Sequence, residues 1–152
     1  MSNAFYDSVA QVLEVEEVGF DTAFRELPGW SSLQGFGLLV LMENDWSAPI
    51  TIPRLQGMTT VGELYTEAFV AFAAKVLGVD RESLSPETAY GSLPQWDSVA
   101  HLRLVMEAEK RFGTSYDLES IPAMKTLRDF VDGEVPPAAQ ADGVEAGGAG
   151  RR

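Results

Sequence analysis

The chain has 152 residues, no cysteine, one histidine (His101) and a formal net charge of −12 at pH 7. The absence of cysteine excludes disulfides, thiolate metal sites and cysteine nucleophiles. An acidic surface repels nucleic acid and anionic membranes, and it favours partners that carry basic patches. The sequence shows no apolar run of membrane-spanning length and no signal-peptide pattern at its start. We therefore expect a cytoplasmic protein without a metal site, a nucleic-acid partner or a membrane partner.

The sequence contains an internal repeat with an offset of 66 residues. Residues 27–32 read Leu-Pro-Gly-Trp-Ser-Ser, and residues 93–98 read Leu-Pro-Gln-Trp-Asp-Ser. The same offset pairs Trp46 with Phe112. This period is too long for a solenoid and suits a small domain. We predict two tandem domains, at 1–65 and 66–135, followed by an Ala/Gly-rich tail at 136–152 that we expect to be disordered.

The first unit carries apolar residues at helical spacing and no competing strand signal. Ser31 is a suitable N-cap for its most apolar helix, which begins at Ser32. The predicted elements are helices at 5–14, at 32–45 and from 60 onward, with a short turn at 49–53. The first unit is therefore predicted to be a small bundle of three main helices and one short helix.

The second unit repeats this plan. Asp97 is expected to cap its central helix, and Gly78 and Gly113 are suitable stop residues for two of its helices. Its predicted helices lie at 69–77, at 98–112 and from 126 onward. The whole chain is therefore predicted to be all-α. Either one continuous helix joins the two units, since only Gly62 interrupts the stretch before Gly78, or the chain bends near Glu67.

A serine lies at the start of the central helix in each unit, Ser32 in the first and Ser98 in the second. Unpaired N–H groups and the positive end of the helix dipole favour a phosphate at such a place. Without a neighbouring base, a serine hydroxyl is better suited to accept a group than to act as a nucleophilic catalyst. The structural alternative is that both serines only begin their helices. A hydrolase that pairs Ser98 with His101 would lack an acidic orienting group and an oxyanion site.

The residues around Ser98 resemble those of an acyl carrier protein. Trp96-Asp97-Ser98-Val99 is similar to the Asp-Ser-Leu motif that begins the second helix of that family. Further landmarks of the family in this unit are Leu77-Gly78-Val79, Glu107, Glu109, Phe112-Gly113 and Lys125-Thr126-Leu127. The resemblance implies that a phosphopantetheinyl transferase attaches 4′-phosphopantetheine from coenzyme A to Ser98, beside Asp97, and that the arm's thiol holds acyl groups as thioesters.

The first unit departs from the family motif. Ser31 stands where the family has Asp, so recognition of Ser32 by the transferase is in doubt. Gly35 also stands where the second unit has His101, and glycine weakens a helix by about 1 kcal/mol relative to alanine. The resemblance therefore supports modification at Ser98 and, less strongly, at Ser32.

The resemblance as a whole implies a monomeric tandem acyl carrier protein that is not itself an enzyme. Because neither unit has the Gly-Gly-x-Ser-Leu pattern of peptidyl carriers, polyketide or fatty-acid-like cargo is favoured. Its partners would be the transferase and the enzymes that load and process acyl groups, docking through basic patches. Two alternatives stay open: an unmodified acidic scaffold, and a carrier of small units such as glyceryl or aminoacyl groups.

Several other residues have both a structural and a functional interpretation. Trp30 and Trp96 are expected to pack their loops against the core, or else to shape a pocket beside the arm. His101 is expected to be solvated on its helix face, or else to contact the phosphate or a partner. Four carboxylates are candidate docking residues: Glu43, Asp45, Glu107 and Glu109.

Overall fold

The computed structural model describes residues 3–132, and over this range the protein is helical. Its helices are α1 (Ala4–Leu13), α2 (Ser32–Asn44), α3 (Ile52–Gln56), α4 (Val61–Leu77), α5 (Ser98–Phe112) and α6 (Leu127–Asp132). Short 3-10 turns lie at Phe24–Glu26, Arg81–Ser83 and Ile121–Ala123. The all-α prediction is confirmed for this part of the chain, whose β contacts are two isolated bridges. None of its helices has the length and apolarity needed to cross a membrane. The tail predicted at 136–152 lies outside the described residues.

Helix ends follow the capping signals in the sequence. Gly78 ends α4 and Gly113 ends α5, each with φ of 72°, in the left-handed region that glycine adopts at low cost. At the other end of α5, the carboxylate of Asp97 accepts a hydrogen bond from the backbone N–H of Ala100 at 2.9 Å. These predicted starts and stops are confirmed.

The sequence repeat is also a repeat of local structure. In each half, the loop that follows the first helix runs antiparallel to the start of the last helix. Two backbone hydrogen bonds of the first half recur in the second half, where each residue number is higher by 66. The paired bonds are Val61 N–Thr22 O (2.9 Å) with Leu127 N–Thr88 O (3.3 Å), and Gly62 N–Phe20 O (2.8 Å) with Arg128 N–Pro86 O (2.7 Å). The two halves therefore share one folding plan over the described residues.

Helix α4 runs without a break through residues 65 and 66, where the domain boundary is predicted. Of the two alternatives for the junction, the structure has the continuous helix. Near the middle of α4, Glu67 is only 9% exposed, and its carboxylate binds the guanidinium groups of Arg54 at 2.9 Å and Arg81 at 3.1 Å. Because Arg54 belongs to the first half and Arg81 to the second, this buried carboxylate ties the two halves together.

The two halves share one hydrophobic core. Trp46, two residues after the end of α2, stacks on Phe112, the last residue of α5, with ring centroids 5.3 Å apart and planes within 4°. The guanidinium of Arg111 also lies over the indole, 3.9 Å from the Trp46 ring centroid. Trp46 and Phe112 are equivalent positions of the repeat, so the two halves meet through the same position of the repeated unit.

Gly62 is a point of close approach and not a break in α4. A Cβ atom at this position would lie 2.7 Å from the backbone oxygen of Phe20 and 2.8 Å from its ring. We expect Gly62→Ala to lower the free energy of unfolding by about 1–3 kcal/mol, although alanine is the better helix former. Chemical denaturation measures this change. Gly57→Ala is the matched control, because a Cβ there meets only ordinary contacts at 3.6 Å or more; an unchanged or stabilised Gly62→Ala would contradict the close contact.

Glu63 closes the start of α4, where its carboxylate accepts hydrogen bonds from the backbone N–H groups of Thr59 at 2.6 Å and Thr60 at 2.9 Å. Burial alone would raise the pKa of Glu63, but these backbone hydrogen bonds, the hydroxyl of Thr60 and the positive charge of Arg25 together outweigh it and hold the pKa below its ordinary value of 4.5. A lowered carboxyl pKa stabilises the fold above that ordinary value, and the stabilisation is lost as the pH falls through the folded value.

We therefore expect Glu63→Gln to be less stable than the wild type at pH 7, with the difference shrinking as the pH falls below 4.5. Denaturant unfolding at a series of pH values between neutral and acidic conditions measures this. Glu82→Gln removes the same charge from an exposed position outside the helix caps and serves as the control. A difference that stays constant with pH would show that the charge of Glu63 does not stabilise the cap.

Candidate functional site

Ser98 is the first residue of α5, directly after the N-cap Asp97. Its side chain is exposed, and within the described residues its hydroxyl makes no hydrogen bond. The first backbone N–H groups of a helix have no partner inside the helix, and Asp97 satisfies only that of Ala100. Ser98 is therefore a free hydroxyl beside unpaired N–H donors.

Ser32 occupies the equivalent place as the first residue of α2, and it is also exposed. Ser31 stands at the N-cap as predicted, but its side chain does not cap the helix. Its hydroxyl instead donates to the side-chain oxygen of Gln34 at 2.6 Å. An uncapped start costs about 1 kcal/mol relative to a capped one, so the helix start at Ser32 is less firmly fixed than that at Ser98.

An apolar stripe follows each serine on its own helix. Three apolar side chains at i, i+3 and i+7 share one helix face, and they point away from the core at 40–77% exposure. The stripe of α2 consists of Leu33, Phe36 and Val40, and that of α5 consists of Val99, Leu102 and Met106. The two stripes occupy equivalent positions of the repeat. Exposed apolar side chains that share one helix face form a candidate binding surface.

A fourth pair of equivalent positions is also apolar and exposed in both halves. Ile52 at the start of α3 is 59% exposed, and Leu118, its equivalent in the second half, is 81% exposed. None of these exposed apolar side chains is among the predicted functional residues. The sequence repeat could have identified them, because each of these four positions is apolar in the first half and again 66 residues later.

The candidate docking carboxylates divide into two groups. Glu43 and Asp45 at the end of α2 are exposed. Glu107 and Glu109 in α5 are half-buried, and the carboxylate of Glu109 accepts a hydrogen bond from the backbone N–H of Tyr116 at 3.0 Å. Glu109 therefore has a structural role in holding the loop after α5.

His101 is buried, at 8% exposure, so the expectation of a solvated side chain is wrong. The indole Nε1–H of Trp96 donates to Nδ1 of His101 at 3.2 Å, and Nε2 of His101 lies 3.1 Å from the carbonyl oxygen of Ile121. An indole N–H only donates, so Nδ1 accepts and Nε2 carries the hydrogen that bonds to Ile121. Both ring nitrogens are thus used inside the core, and the pairing of His101 with Ser98 that a hydrolase would need is not formed.

The two tryptophans of the repeated motif differ in their surroundings. Trp96 is fully buried, as expected for a residue that packs its loop against the core. Trp30 is only half-buried: it packs edge-on against Phe24, with ring centroids 5.4 Å apart, and lines a cavity of about 390 Å³. Ser32 lies on the wall of the same cavity. Trp30 therefore packs against the core, as expected, and also lines a pocket beside Ser32.

Comparisons with known proteins add no relative. No protein-family model, curated protein or solved structure matches the chain. Its function is inferred from its own residues.

Within the described residues, no group of three or more histidine, cysteine, aspartate or glutamate side chains is placed to hold a metal ion. The chemistry available at the two helix starts is that of a free serine hydroxyl with N–H donors next to it.

Proposed function

We propose that this chain is a tandem acyl carrier protein, in which Ser98 and, as a second site, Ser32 accept a 4′-phosphopantetheine arm from coenzyme A. One observation carries the proposal: each half presents an exposed serine at the first position of a helix, followed on that helix by an exposed apolar stripe. A serine that only began its helix would need no stripe beside it. The resemblance of Trp96-Asp97-Ser98-Val99 to the carrier motif indicates which group the serine accepts.

The attachment is a phosphoryl transfer to serine. The hydroxyl oxygen of Ser98 bonds to the phosphorus that bears pantetheine in coenzyme A, and the pyrophosphate P–O bond breaks. Adenosine 3′,5′-diphosphate leaves, and the serine proton passes to a base of the transferase. The chain itself supplies the exposed nucleophile and holds it in place through the Asp97 cap.

The helix start also suits the product of this reaction. A phosphodiester on Ser98 would lie next to the unpaired N–H groups and the positive end of the α5 dipole, which stabilise a negative charge. When bound, the arm supplies a terminal thiol that holds acyl groups as thioesters.

The apolar stripes and the net charge define the partners. Enzymes that attach the arm, load it and process its cargo would cover a stripe with apolar side chains and meet the surrounding carboxylates with basic ones. Glu43 and Asp45 are exposed at the end of the first stripe and are suited to this contact. We assign the chain to the traffic of acyl or polyketide intermediates in a specialised biosynthetic pathway.

The test is attachment of the arm to the full-length apo protein. The protein is incubated with coenzyme A and a broad-specificity phosphopantetheinyl transferase, and its intact mass is recorded. We expect the wild type to gain two arms, Ser98→Ala and Ser32→Ala to gain one each, and the double variant to gain none. Ser92→Ala, which removes another exposed serine of the second half, is the control and should retain both arms.

A second candidate function has its own structural support. Because Ser31 does not cap α2 and replaces the acidic residue of the motif, the first half is also suited to be an unmodified docking unit. One arm that is lost only in Ser98→Ala would assign this role to the first half. No arm on the folded wild type would contradict the carrier proposal and leave an acidic scaffold that binds through its two stripes.

A further inference from the structure

The exposed face of α5 is basic as well as apolar. Arg103 is exposed and lies four residues after Val99 of the apolar stripe, and Lys110 is exposed in the last turn of the same helix. Lys110 in turn lies four residues after Met106 of the stripe. Side chains at this spacing share a helix face, so both cations border the stripe. Neither cation makes a side-chain hydrogen bond or an ion pair within the described residues.

The carboxylates on and near α5 do not remove this positive charge from its exposed face. Asp97 caps the start of the helix, and Glu107 and Glu109 are half-buried. The exposed carboxylates that follow in the chain, Asp117 and Glu119, belong to the loop after α5. The charged side chains that α5 itself presents beside its stripe are therefore positive, although the protein as a whole is acidic.

The equivalent face of α2 has the opposite character. Gly37 and Asn44 stand 66 residues before Arg103 and Lys110, so no cation of α2 borders the first stripe. The exposed carboxylate of Glu43 lies three residues after the last member of that stripe and shares its face. The two halves therefore present apolar stripes at equivalent positions with different charges beside them.

Charges at the edge of an apolar interface select the partner that binds there. Apolar contacts occupy the centre of an interface, whereas the charges around them set specificity and the association rate. Placing like charges opposite each other costs affinity and excludes the wrong partner. A partner with basic side chains around an apolar groove suits the α2 face, and the cations of the α5 face would repel it.

We propose that the α5 face docks a partner protein whose apolar groove is rimmed by carboxylates, whereas the α2 face takes a partner with a basic rim. Arg103 and Lys110 determine this specificity. The inference rests on the proposed carrier function, because it assigns a different class of processing enzyme to Ser98 and to Ser32. The net charge of −12 opposes contact with nucleic acid or an anionic membrane, so a protein groove that meets α5 locally is the partner that fits.

The experiment uses two designed helical peptides with the same apolar residues at i, i+3 and i+7. They differ only in the charged residues beside this stripe, which are glutamates in one peptide and lysines in the other. Each peptide is titrated into ¹⁵N-labelled full-length apo protein, and the backbone amide signals are followed. We expect the glutamate peptide to shift the signals of residues 99–110 saturably, to bind this face at least tenfold more tightly than the lysine peptide, and to weaken at high salt. Equal affinity of the two peptides for this face would overturn the inference.

Charge reversal tests the two cations themselves. In the double variant Arg103→Glu, Lys110→Glu, we expect the affinity of the glutamate peptide for α5 to fall at least tenfold and that of the lysine peptide to rise. Lys75→Glu, Lys125→Glu is the matched control, because it reverses the same number of charges at exposed positions outside α5. An equal loss in both double variants would show a response to net charge alone and would overturn the role of the α5 cations. The Trp96 indole signal verifies the fold of each variant, and the two peptides on the wild type decide the question if a variant does not fold.

Two other occupants of the α5 face would give different results. A second copy of the chain, covering the basic face with its acidic α2 face, would give oligomers in sedimentation at rising protein concentration, and the reversal of Arg103 and Lys110 would dissociate them. An anionic membrane would give cosedimentation with phosphatidylserine vesicles and shifts of the same α5 signals. Either result in place of the peptide preference would overturn the proposed partner.

Failure of the carrier function gives a separate result, because the peptides bind the apo protein and need no arm. Discrimination between the peptides without attachment of an arm would keep the two docking faces and remove the carrier function. Attachment of an arm without discrimination between the peptides would keep the carrier function and overturn this inference.

Discussion

Phe112→Ala is expected to lower the free energy of unfolding by about 3–5 kcal/mol and to destabilise both halves of the protein together. The Phe112 side chain is fully buried and stacks on Trp46 of the first half. It also contacts the rings of Tyr65, Phe69 and Phe72 along α4, with centroids 5.2–5.6 Å apart. Truncating Phe112 would leave a cavity and remove its stacked contact with Trp46, which joins the two halves.

The measurement is denaturant unfolding followed by signals that report on each half separately. The indole N–H signals of Trp30 and Trp96 serve this purpose. We expect both to change at one midpoint in the wild type and at one lower midpoint in Phe112→Ala. Leu102→Ala on the same helix is the control, because this side chain is 55% exposed and surface substitutions cost about 0.5 kcal/mol or less. Separate midpoints for the two tryptophans would show that the halves unfold independently.

A single transition follows from the size of the halves and the way they are joined. Each half has only about 65 residues, and chains of that length bury a modest fraction of their surface and are marginally stable alone. Helix α4 supplies buried side chains to both halves, and Glu67 in its middle is bound by one arginine from each. Cutting the chain at the predicted domain boundary would therefore break a helix and expose the shared core.

The elements of the fold could be predicted because their signals are local. The apolar spacing placed the main helices, and Asp97, Gly78 and Gly113 fixed their ends through capping chemistry that depends on neighbouring residues alone. The repeat added a second instance of each element, so that Trp46 and Phe112 could be matched by their offset. Their direct contact was not predictable, because the offset shows which residues are equivalent and not which ones meet.

The candidate site could be predicted in part for the same reason. Ser32 and Ser98 at helix starts are local features, and their positions as the first residues of α2 and α5 are confirmed. A pocket at Trp30 was one of two expectations for that residue, but its other walls could not be predicted, because Leu39 and Leu55 come from α2 and α3 and meet only in the packed bundle.

The position of His101 on its helix led to a wrong prediction of its exposure. It follows Ser98 by three residues, and a lone polar residue near a helix start is usually solvated. In the structure its ring joins Trp96 to Ile121 inside the second half. An imidazole with one donor and one acceptor fits between an indole N–H and a carbonyl oxygen, so the buried polar groups satisfy one another.

His101→Ala is accordingly expected to lower the free energy of unfolding by about 2–4 kcal/mol, because it leaves the buried Trp96 N–H without its acceptor and adds a cavity. Denaturant unfolding at constant pH measures the loss. His101→Gln is the matched variant, since an amide also offers an acceptor and a donor, and we expect it to recover about half of the loss. Equal stability of His101→Ala and the wild type would contradict the bridging role.

The same variants distinguish two roles for His101, support of the core and direct action on Ser98. If the imidazole only supports the core, the folded His101→Gln protein should accept a phosphopantetheine arm on Ser98 at close to the wild-type rate, because the exposed hydroxyl and its Asp97 cap are unchanged. A variant that keeps its fold, as judged by the Trp96 indole signal, but loses attachment at Ser98 would instead show that His101 acts on the serine. The two hydrogen bonds of its ring nitrogens, both directed into the core, favour the first result.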